Sequence, residues 1–198
     1  MNTIKEILIE KRDGTKEPLD VNKMHFVVEQ ACEDLTGVSA SQIEMNSKIQ
    51  FTNGMTSRDI QDILIRSAND LISLEAPNYQ YAAARLLLWN VYKEVFGQFQ
   101  PKHFVNVIIQ NVKRGVYDKQ ILDNYTKTEL KKLNTWIKHE RDLDFTYAGL
   151  RQVVDKYLVQ DRSTGQVYET PQFMYMMIAA TLFADYPKDI RLSYIKKY

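Results

Sequence analysis

The fold begins with the stretch Glu10-Lys11-Arg12-Asp13-Gly14-Thr15-Lys16-Glu17-Pro18-Leu19-Asp20-Val21-Asn22-Lys23. The preceding Ile7-Leu8-Ile9 is apolar and β-branched, which predicts a short strand. Asp13-Gly14 is a turn pair, because Gly14 tolerates the positive φ that tight hairpin turns require. Beyond Pro18, Asp20 is suited to cap a helix, which we expect from Val21 to about Leu35.

This order of elements predicts that three cations, Lys11, Arg12 and Lys23, come close to one helix N-terminus. Such an end presents unpaired N–H groups and a positive dipole, so an anion is its natural ligand. A solvated hairpin whose basic side chains face water is the alternative, and it explains this stretch better when the stretch is taken alone.

Composition describes an ordinary globular chain of 198 residues, long enough for one large domain or two small ones. With 26 Lys and Arg against 25 Asp and Glu, no overall field favours nucleic acid or an acidic membrane. No apolar run approaches the ~20 residues that span a bilayer. Residues 1–6 lack the apolar core of a signal peptide, so we expect a cytoplasmic location. Cys32, the single cysteine, excludes an internal disulfide and a multi-cysteine zinc site.

The first half of the chain has the pattern of a small helical bundle. Apolar residues follow helical spacing after Val21, and Ile49-Gln50-Phe51 could add a third strand to the hairpin. Thr56 or Ser57 can cap the next helix. The segment between Pro77 and Gly97 is apolar nearly all round, so neighbours must enclose it. We therefore expect a helical bundle capped by a small two- or three-stranded β-sheet.

Three motifs in this half resemble the ATP-cone, the regulatory nucleotide-binding domain at the N-terminus of class I ribonucleotide reductase large subunits. They are Lys11-Arg12-Asp13-Gly14, then Asn53-Gly54-Met55-Thr56-Ser57-Arg58-Asp59-Ile60, then Pro77-Asn78-Tyr79-Gln80-Tyr81-Ala82-Ala83-Ala84-Arg85-Leu86. Each motif is weak by itself, and the three in this order and at these separations are strong.

The resemblance implies a binding site for ATP or dATP as allosteric effector, with Mg²⁺ sharing the charge. Lys11 and Arg12 would lie near the nucleotide, Ser57 would hold a phosphate, and Lys93 would reach the same triphosphate. No Gly-x-x-x-x-Gly-Lys loop occurs, so this would be binding without phosphoryl transfer, and we predict no catalytic or metal-ligating residue. The complete set of implied nucleotide-binding residues is Ile9 beside the base, Lys11, Arg12, Glu17, Pro18, Leu19, Asp20, Val21, Asn22, Lys23, Ser57, Gln61, Trp89, Asn90 and Lys93.

Two of these positions depart from the family pattern. Members that dATP shuts off tend to carry histidines where this chain has Gln61 and Asn90. Because an amide cannot become cationic, discrimination between ATP and dATP should be weaker here. Our hypothesis is nucleotide binding with blunted dATP inhibition.

The second half is also mainly helical. Gln98-Phe99-Gln100-Pro101 marks a domain boundary, which gives domains of residues 1–97 and 98–198. A β-hairpin is predicted around the turn Ser163-Thr164-Gly165, followed by a Met-rich apolar helix from Phe173 to Phe183 that should be core. His139-Glu140-Arg141-Asp142 suits a salt-bridged helix end better than an acid–base site. The predicted fold class is mainly α, an ATP-cone bundle followed by an α-helical domain with one β-hairpin.

Here the resemblance is to the N-terminal helical domain of the same reductases, of bacterial and bacteriophage type. It is carried by His139-Glu140-Arg141-Asp142-Leu143-Asp144-Phe145-Thr146-Tyr147, Lys156-Tyr157-Leu158-Val159-Gln160 and Thr164-Gly165-Gln166-Val167-Tyr168-Glu169-Thr170-Pro171-Gln172-Phe173. The resemblance implies two partners, the remainder of the large subunit and the small radical-generating subunit, with neither nucleic acid nor membrane. The catalytic barrel with its radical and redox cysteines is absent, and Cys32 matches none of them. We therefore expect a piece of a longer protein or of a split gene, inactive by itself in ribonucleotide reduction.

Two functions remain open from the sequence. One is the allosteric nucleotide-sensing portion of a ribonucleoside-diphosphate reductase, which makes deoxyribonucleotides for DNA synthesis. The other is a non-catalytic helical docking module whose cone no longer binds nucleotide. A cone-bearing transcriptional repressor would need a four-cysteine zinc ribbon, which this chain lacks.

Overall fold

The computed structural model describes residues 7–198 and is mainly α-helical with one small antiparallel sheet, which confirms the predicted fold class. The first six residues, where we expect no signal peptide, lie outside the described residues. The elements are β1 (Leu8–Glu10), β2 (Lys16–Pro18), α1 (Val21–Cys32), α2 (Ala40–Lys48), α3 (Ser57–Asn69), α4 (Tyr79–Phe96), α5 (Phe104–Lys113), α6 (Gln120–Asn124), α7 (Lys127–Asn134), a 3-10 helix (His139–Asp144), α8 (Tyr147–Gln152), a π-helical turn (Val153–Tyr157), α9 (Pro171–Leu182) and α10 (Lys188–Lys197).

Contacts group the chain into two compact units. The first contains the chain up to Asn90 together with Leu143–Arg151, and the second contains Val91–Asp142 and Gln152–Tyr198. The predicted domain boundary after residue 97 stays a prediction, because grouping by contacts does not test which segments fold independently.

The sheet is the hairpin that the Asp13-Gly14 pair predicts. β1 and β2 pair antiparallel, with Ile9 opposite Glu17, and Gly14 takes a φ of 82° in the turn. The suggested third strand over residues 49–51 is wrong. There the chain continues to turn after α2, since the Gln50 N–H donates to the Ser47 carbonyl at 2.9 Å. A single parallel bridge between Glu10 and Thr56 occupies the free edge of β1 instead.

Helix caps in the first unit follow the sequence closely. Asp20 caps α1 by accepting the Lys23 N–H at 3.0 Å, as predicted. The helix ends at Cys32, short of the expected Leu35, because Asp34 adopts a positive φ of 60°. Arg85 of α4 then donates to the Glu33 carbonyl at 2.6 Å. The prediction that α4 is enclosed by neighbours is confirmed for its middle turns, whose buried residues are Ala82, Ala83, Ala84, Leu86, Leu87 and Leu88.

The core of the second unit is aromatic. Phe173 at the start of α9 packs its ring against Phe96, Phe104 and His139, with centroids 5.0–5.6 Å apart. His139 therefore lies in a ring cluster, and the expected salt-bridged helix end is wrong at this residue. Burial lowers the pKa of His139 to about 4.

The predicted β-hairpin of this unit is present: Gln160 and Val167 form an antiparallel bridge, and the Tyr168 N–H donates to the Val159 carbonyl at 3.0 Å. The expectation for the apolar helix that follows is only partly met. Helix α9 buries one side, including Phe173 and Ala180, and leaves Leu182 58% exposed on the other, so it is not core all round. Within residues 7–198, no helix combines the length and the apolar character that crossing a membrane requires.

Candidate functional site

The basic turn of the hairpin is fixed beside the start of α3. The Leu8 N–H donates to Asn53 Oδ1 at 2.9 Å, and the Gly54 N–H returns a bond to the Leu8 carbonyl at 2.8 Å. Two residues further along β1, the Glu10 N–H donates to the Met55 carbonyl at 2.9 Å. The edge of β1 is thus bonded to the loop that enters α3, and the chain turns at Lys11 directly after this contact.

The N-terminus of α3 is capped by Thr56. Its hydroxyl accepts the Asp59 N–H at 3.1 Å, and the Asp59 carboxylate accepts the Thr56 N–H at 2.8 Å, which forms a complete capping box. The backbone bond from Thr56, followed by the one from its hydroxyl, lowers the pKa of Asp59. Ser57 is half-buried and is the first helical residue, a position from which side chain and backbone N–H can both meet an anion.

Arg12 connects the hairpin turn to α4. Its Nη2 donates to Asn90 Oδ1 at 2.7 Å, a contact between residues 78 positions apart in sequence. Both residues belong to the first unit. The structure thereby joins two predicted site residues from near the two ends of that unit's longer segment.

Gln61 lies one turn into α3 and also reaches α4. Its Nε2 donates to the Leu86 carbonyl at 3.0 Å. Asn90 is four residues, about one turn, beyond Leu86 in α4, so the contacts of Gln61 and of Arg12 fall on neighbouring positions of that helix. The amides of Gln61 and Asn90, on which the hypothesis of blunted dATP inhibition rests, therefore both make hydrogen bonds within the protein.

Lys11 makes an ion pair across the hairpin. Its Nζ lies 2.7 Å from Glu17 Oε2, and the two side chains are 40% and 35% exposed. The hydrogen bond that Lys11 donates to Glu17, followed by the charge of that carboxylate, raises the pKa of Lys11. Ile9, which lies opposite Glu17 in the hairpin, is buried.

The segment that leaves β2 supplies the start of α1. The Leu19 N–H donates to the Ile7 carbonyl at 2.8 Å, and this bond closes the open end of the hairpin. The exposed predicted residues in this region are Pro18, Asp20, Val21, Asn22 and Lys23, and all of them lie in the first unit.

The remaining predicted residues lie on α4. Trp89 is half-buried and adjoins Asn90 in the first unit. Lys93 groups with the second unit, is exposed, and places its Nζ 4.4 Å from the centre of the Phe99 ring. The structure thus brings Arg12 and Asn90 into contact, while the predicted role of Lys93 stays a prediction.

Sequence reasoning missed two residues that position this site. The sequence places Asn53 and Met55 only within the second motif, yet the Asn53 side chain holds β1 and Met55 supplies the next backbone acceptor. The signal available in the sequence was the Asn53-Gly54 dipeptide itself, because Asn side chains at turns often form hydrogen bonds with backbone groups. Across residues 7–198, no group of three His, Cys, Asp or Glu side chains is arranged to hold a metal ion.

The family described as the ATP cone domain matches residues 7–94, which contain the strand-capped bundle and its basic turn beside the α3 N-terminus. The family described as the ribonucleotide reductase all-alpha domain matches residues 143–197. These two matches define the class of protein: a nucleotide-cone module joined to a reductase-type helical domain.

Individual relatives match nearly the whole length of the chain. The chain is 44% identical over 192 residues to the ribonucleoside-diphosphate reductase 1 subunit alpha of Escherichia coli, covering 97% of this chain and 25% of that protein. It is 42% identical over 188 residues to the ribonucleoside-diphosphate reductase subunit alpha of Enterobacteria phage T4, covering 95% and 25%. The chain therefore matches the N-terminal region of class I ribonucleoside-diphosphate reductase alpha subunits over nearly its whole length. It spans about a quarter of the length of these relatives.

Proposed function

We propose that residues 7–94 bind ATP or dATP as an allosteric effector, at the place where the hairpin turn, the start of α3 and α4 meet. The observation that carries the proposal is the Arg12–Asn90 hydrogen bond of 2.7 Å, because it fixes a basic residue of the turn against α4. The bond from the Glu10 N–H to the Met55 carbonyl fixes the same turn beside the α3 N-terminus.

The chemistry of this place suits a triphosphate. Lys11 and Arg12 supply two cations, and the first turn of α3 adds N–H groups that have no partner within the helix. Arginine offers a planar pair of donors to phosphate oxygens, and lysine offers a mobile point charge. The chain lacks a phosphate loop of the Gly-x-x-x-x-Gly-Lys type, so the proposed event is binding without phosphoryl transfer.

Mg²⁺ would enter with the nucleotide. The described residues contain no cluster of three His, Cys, Asp or Glu that fits a metal ion. Mg²⁺ commonly keeps several waters and takes its other ligands from substrate phosphates. The protein's own contribution at this site would thus be the cations and N–H groups that hold the phosphates.

The role we propose for the chain is the regulatory portion of a ribonucleoside-diphosphate reductase. Its partners would be the remainder of the large subunit and the small radical-generating subunit. Different nucleotides would favour different subunit arrangements, which allow or block radical transfer, so regulation would be a population shift. Cys32 is the only thiol, and burial raises its pKa to about 11, so this chain supplies no reactive cysteine pair. A cytoplasmic location remains a prediction.

Calorimetric titration of the 198-residue chain with ATP and with dATP tests nucleotide binding. We expect measurable heats for the wild type and at least about tenfold weaker binding for Lys11→Ala, which removes a charge-assisted phosphate contact. The same loss in Lys93→Ala would extend the site to that residue. Lys48→Ala, which removes the same charge from the end of α2, is the control and should bind normally. If neither nucleotide gives heat with a folded wild type, the sensing function is wrong and the docking module is favoured.

A further inference from the structure

Both cations of the hairpin turn already have an oxygen partner within the protein. Arg12 donates to a neutral amide oxygen, that of Asn90, at 2.7 Å. Lys11 contacts a full carboxylate, that of Glu17, also at 2.7 Å. The two contacts differ in kind, because a phosphate can share Arg12 with a neutral amide, whereas at Lys11 it meets a second anion that repels it.

Strand geometry explains why Glu17 reaches Lys11. Glu17 pairs directly with Ile9 across the hairpin, and directly paired residues project from the same face of a sheet. Lys11 follows Ile9 by two positions, so it continues on that face. The carboxylate and the ammonium group are therefore neighbours by register, before any ligand is present.

We propose that Glu17 is an internal competitor of the nucleotide: its carboxylate occupies Lys11 in the free protein and must be displaced by a phosphate group. This inference rests on the proposed function and assigns Glu17 an effect opposite to the favourable contact that the family resemblance implies. The competitor favours ligands rich in negative charge, because such a ligand gains most at Lys11 when it replaces the resident carboxylate. A nucleoside triphosphate meets this condition, whereas a nucleoside without phosphate does not.

The exposure of the pair makes the exchange feasible. The side chains of Lys11 and Glu17 are 40% and 35% exposed, so solvent and ligand can reach both. Exposed ion pairs are weak because water and salt screen them. Displacement should therefore reduce nucleotide affinity by a modest factor and not abolish binding.

A double-mutant cycle measured by calorimetry with ATP tests the competition. Glu17→Gln should bind ATP about two- to fivefold more tightly than the wild type, which is the range expected for an exposed pair. Glu10→Gln, which removes the same charge from the neighbouring strand position, measures the general electrostatic effect and should gain less. In a Lys11→Gln background, Glu17→Gln should increase ATP affinity no more than Glu10→Gln does. The reason is that the Lys11–Glu17 ion pair no longer exists there and cannot compete with the nucleotide.

Glu17→Thr serves as a second variant, since threonine favours strands and should preserve the hairpin. It must show the same excess gain. Weaker ATP binding by both Glu17 variants would mean that this carboxylate helps to hold the nucleotide, and the competition would be refuted while the binding function stands. A gain no larger than that of Glu10→Gln would also refute it. If even the wild type binds no ATP, the proposed function fails and this inference fails with it.

Discussion

Arg191 of α10 offers a sharp test of how the second unit is held together. Its Nη2 lies 2.5 Å and its Nε 3.1 Å from the same oxygen of Glu129, at the start of α7. The guanidinium group also lies 4.2 Å from the centre of the Tyr125 ring. The side chains of Arg191 and Glu129 are only 3% and 16% exposed, so this is a buried ion pair.

Replacing Arg191 by methionine should destabilise this unit by about 3 kcal/mol. Breaking a buried pair costs about 3–5 kcal/mol, because the remaining charge is left without a partner. The lower end applies here, since Glu129 keeps some contact with water and methionine preserves much of the apolar packing against Tyr125. Removing the second charge should restore stability, and Glu129→Gln does so while keeping a side chain that fits the capping box with Thr126.

The measurement is urea denaturation followed by the fluorescence of Trp136 in a Trp89→Phe background. Trp136 suits this purpose because Lys196 of α10 lies 5.8 Å from its ring, so loss of α10 changes its surroundings. Arg191→Met should lower the unfolding free energy by about 3 kcal/mol, and the Arg191→Met/Glu129→Gln double variant should recover more than half of that loss. A loss below about 1 kcal/mol, or a double variant no better than Arg191→Met, would refute the reasoning.

Three further predictions concern the first unit. A hydrogen bond to Glu44 raises the pKa of His25. The stabilising contribution of protonated His25 should therefore be complete below about pH 6.5 and lost as the pH rises through the raised pKa. The unfolding free energy should depend less on pH over this range in the His25→Gln variant than in the wild type. Burial raises the pKa of Cys32 to about 11, so iodoacetamide should modify it at least about tenfold more slowly in the folded chain than in urea, as mass spectrometry can follow. Because Gln61 and Asn90 are amides, ATP and dATP affinities should differ by less than about tenfold, and the Gln61→His/Asn90→His variant should widen that difference in the same titration. The first prediction would be wrong if His25→Gln and the wild type had the same pH dependence of stability. The second would be wrong if Cys32 reacted equally fast in the folded chain and in urea, and the third if the double histidine variant left the ratio of ATP to dATP affinity unchanged.

Much of the fold follows from interactions between residues that are near in sequence. The turn at Gly14, the cap at Asp20 and the capping box of Thr126 with Glu129 all depend on a few consecutive residues. Local sterics and short-range hydrogen bonds determine such features, so the sequence predicts them without a tertiary structure. The enclosed position of α4 is predictable for a similar reason, since a helix that is apolar all round cannot remain in water.

The candidate site is different, because its decisive contacts join distant parts of the chain. The sequence supplied the residue types and, through family resemblance, the expectation of a nucleotide. It could not show that Asn53 holds β1, that Arg12 donates to Asn90 across 78 positions, or that Glu17 occupies Lys11. Nor could it exclude a strand at residues 49–51, where the edge of β1 bonds to the α3 entry instead.

The sequence by itself thus determined where the hairpin, the helix caps and most helices lie, because turn residues, capping residues and apolar spacing are local signals. Only the tertiary structure decided which side chains share a surface and which charge already has a partner. Those outcomes depend on how helices pack and on strand register, and a basic residue has the same local preferences whether it faces a ligand, a carboxylate or water.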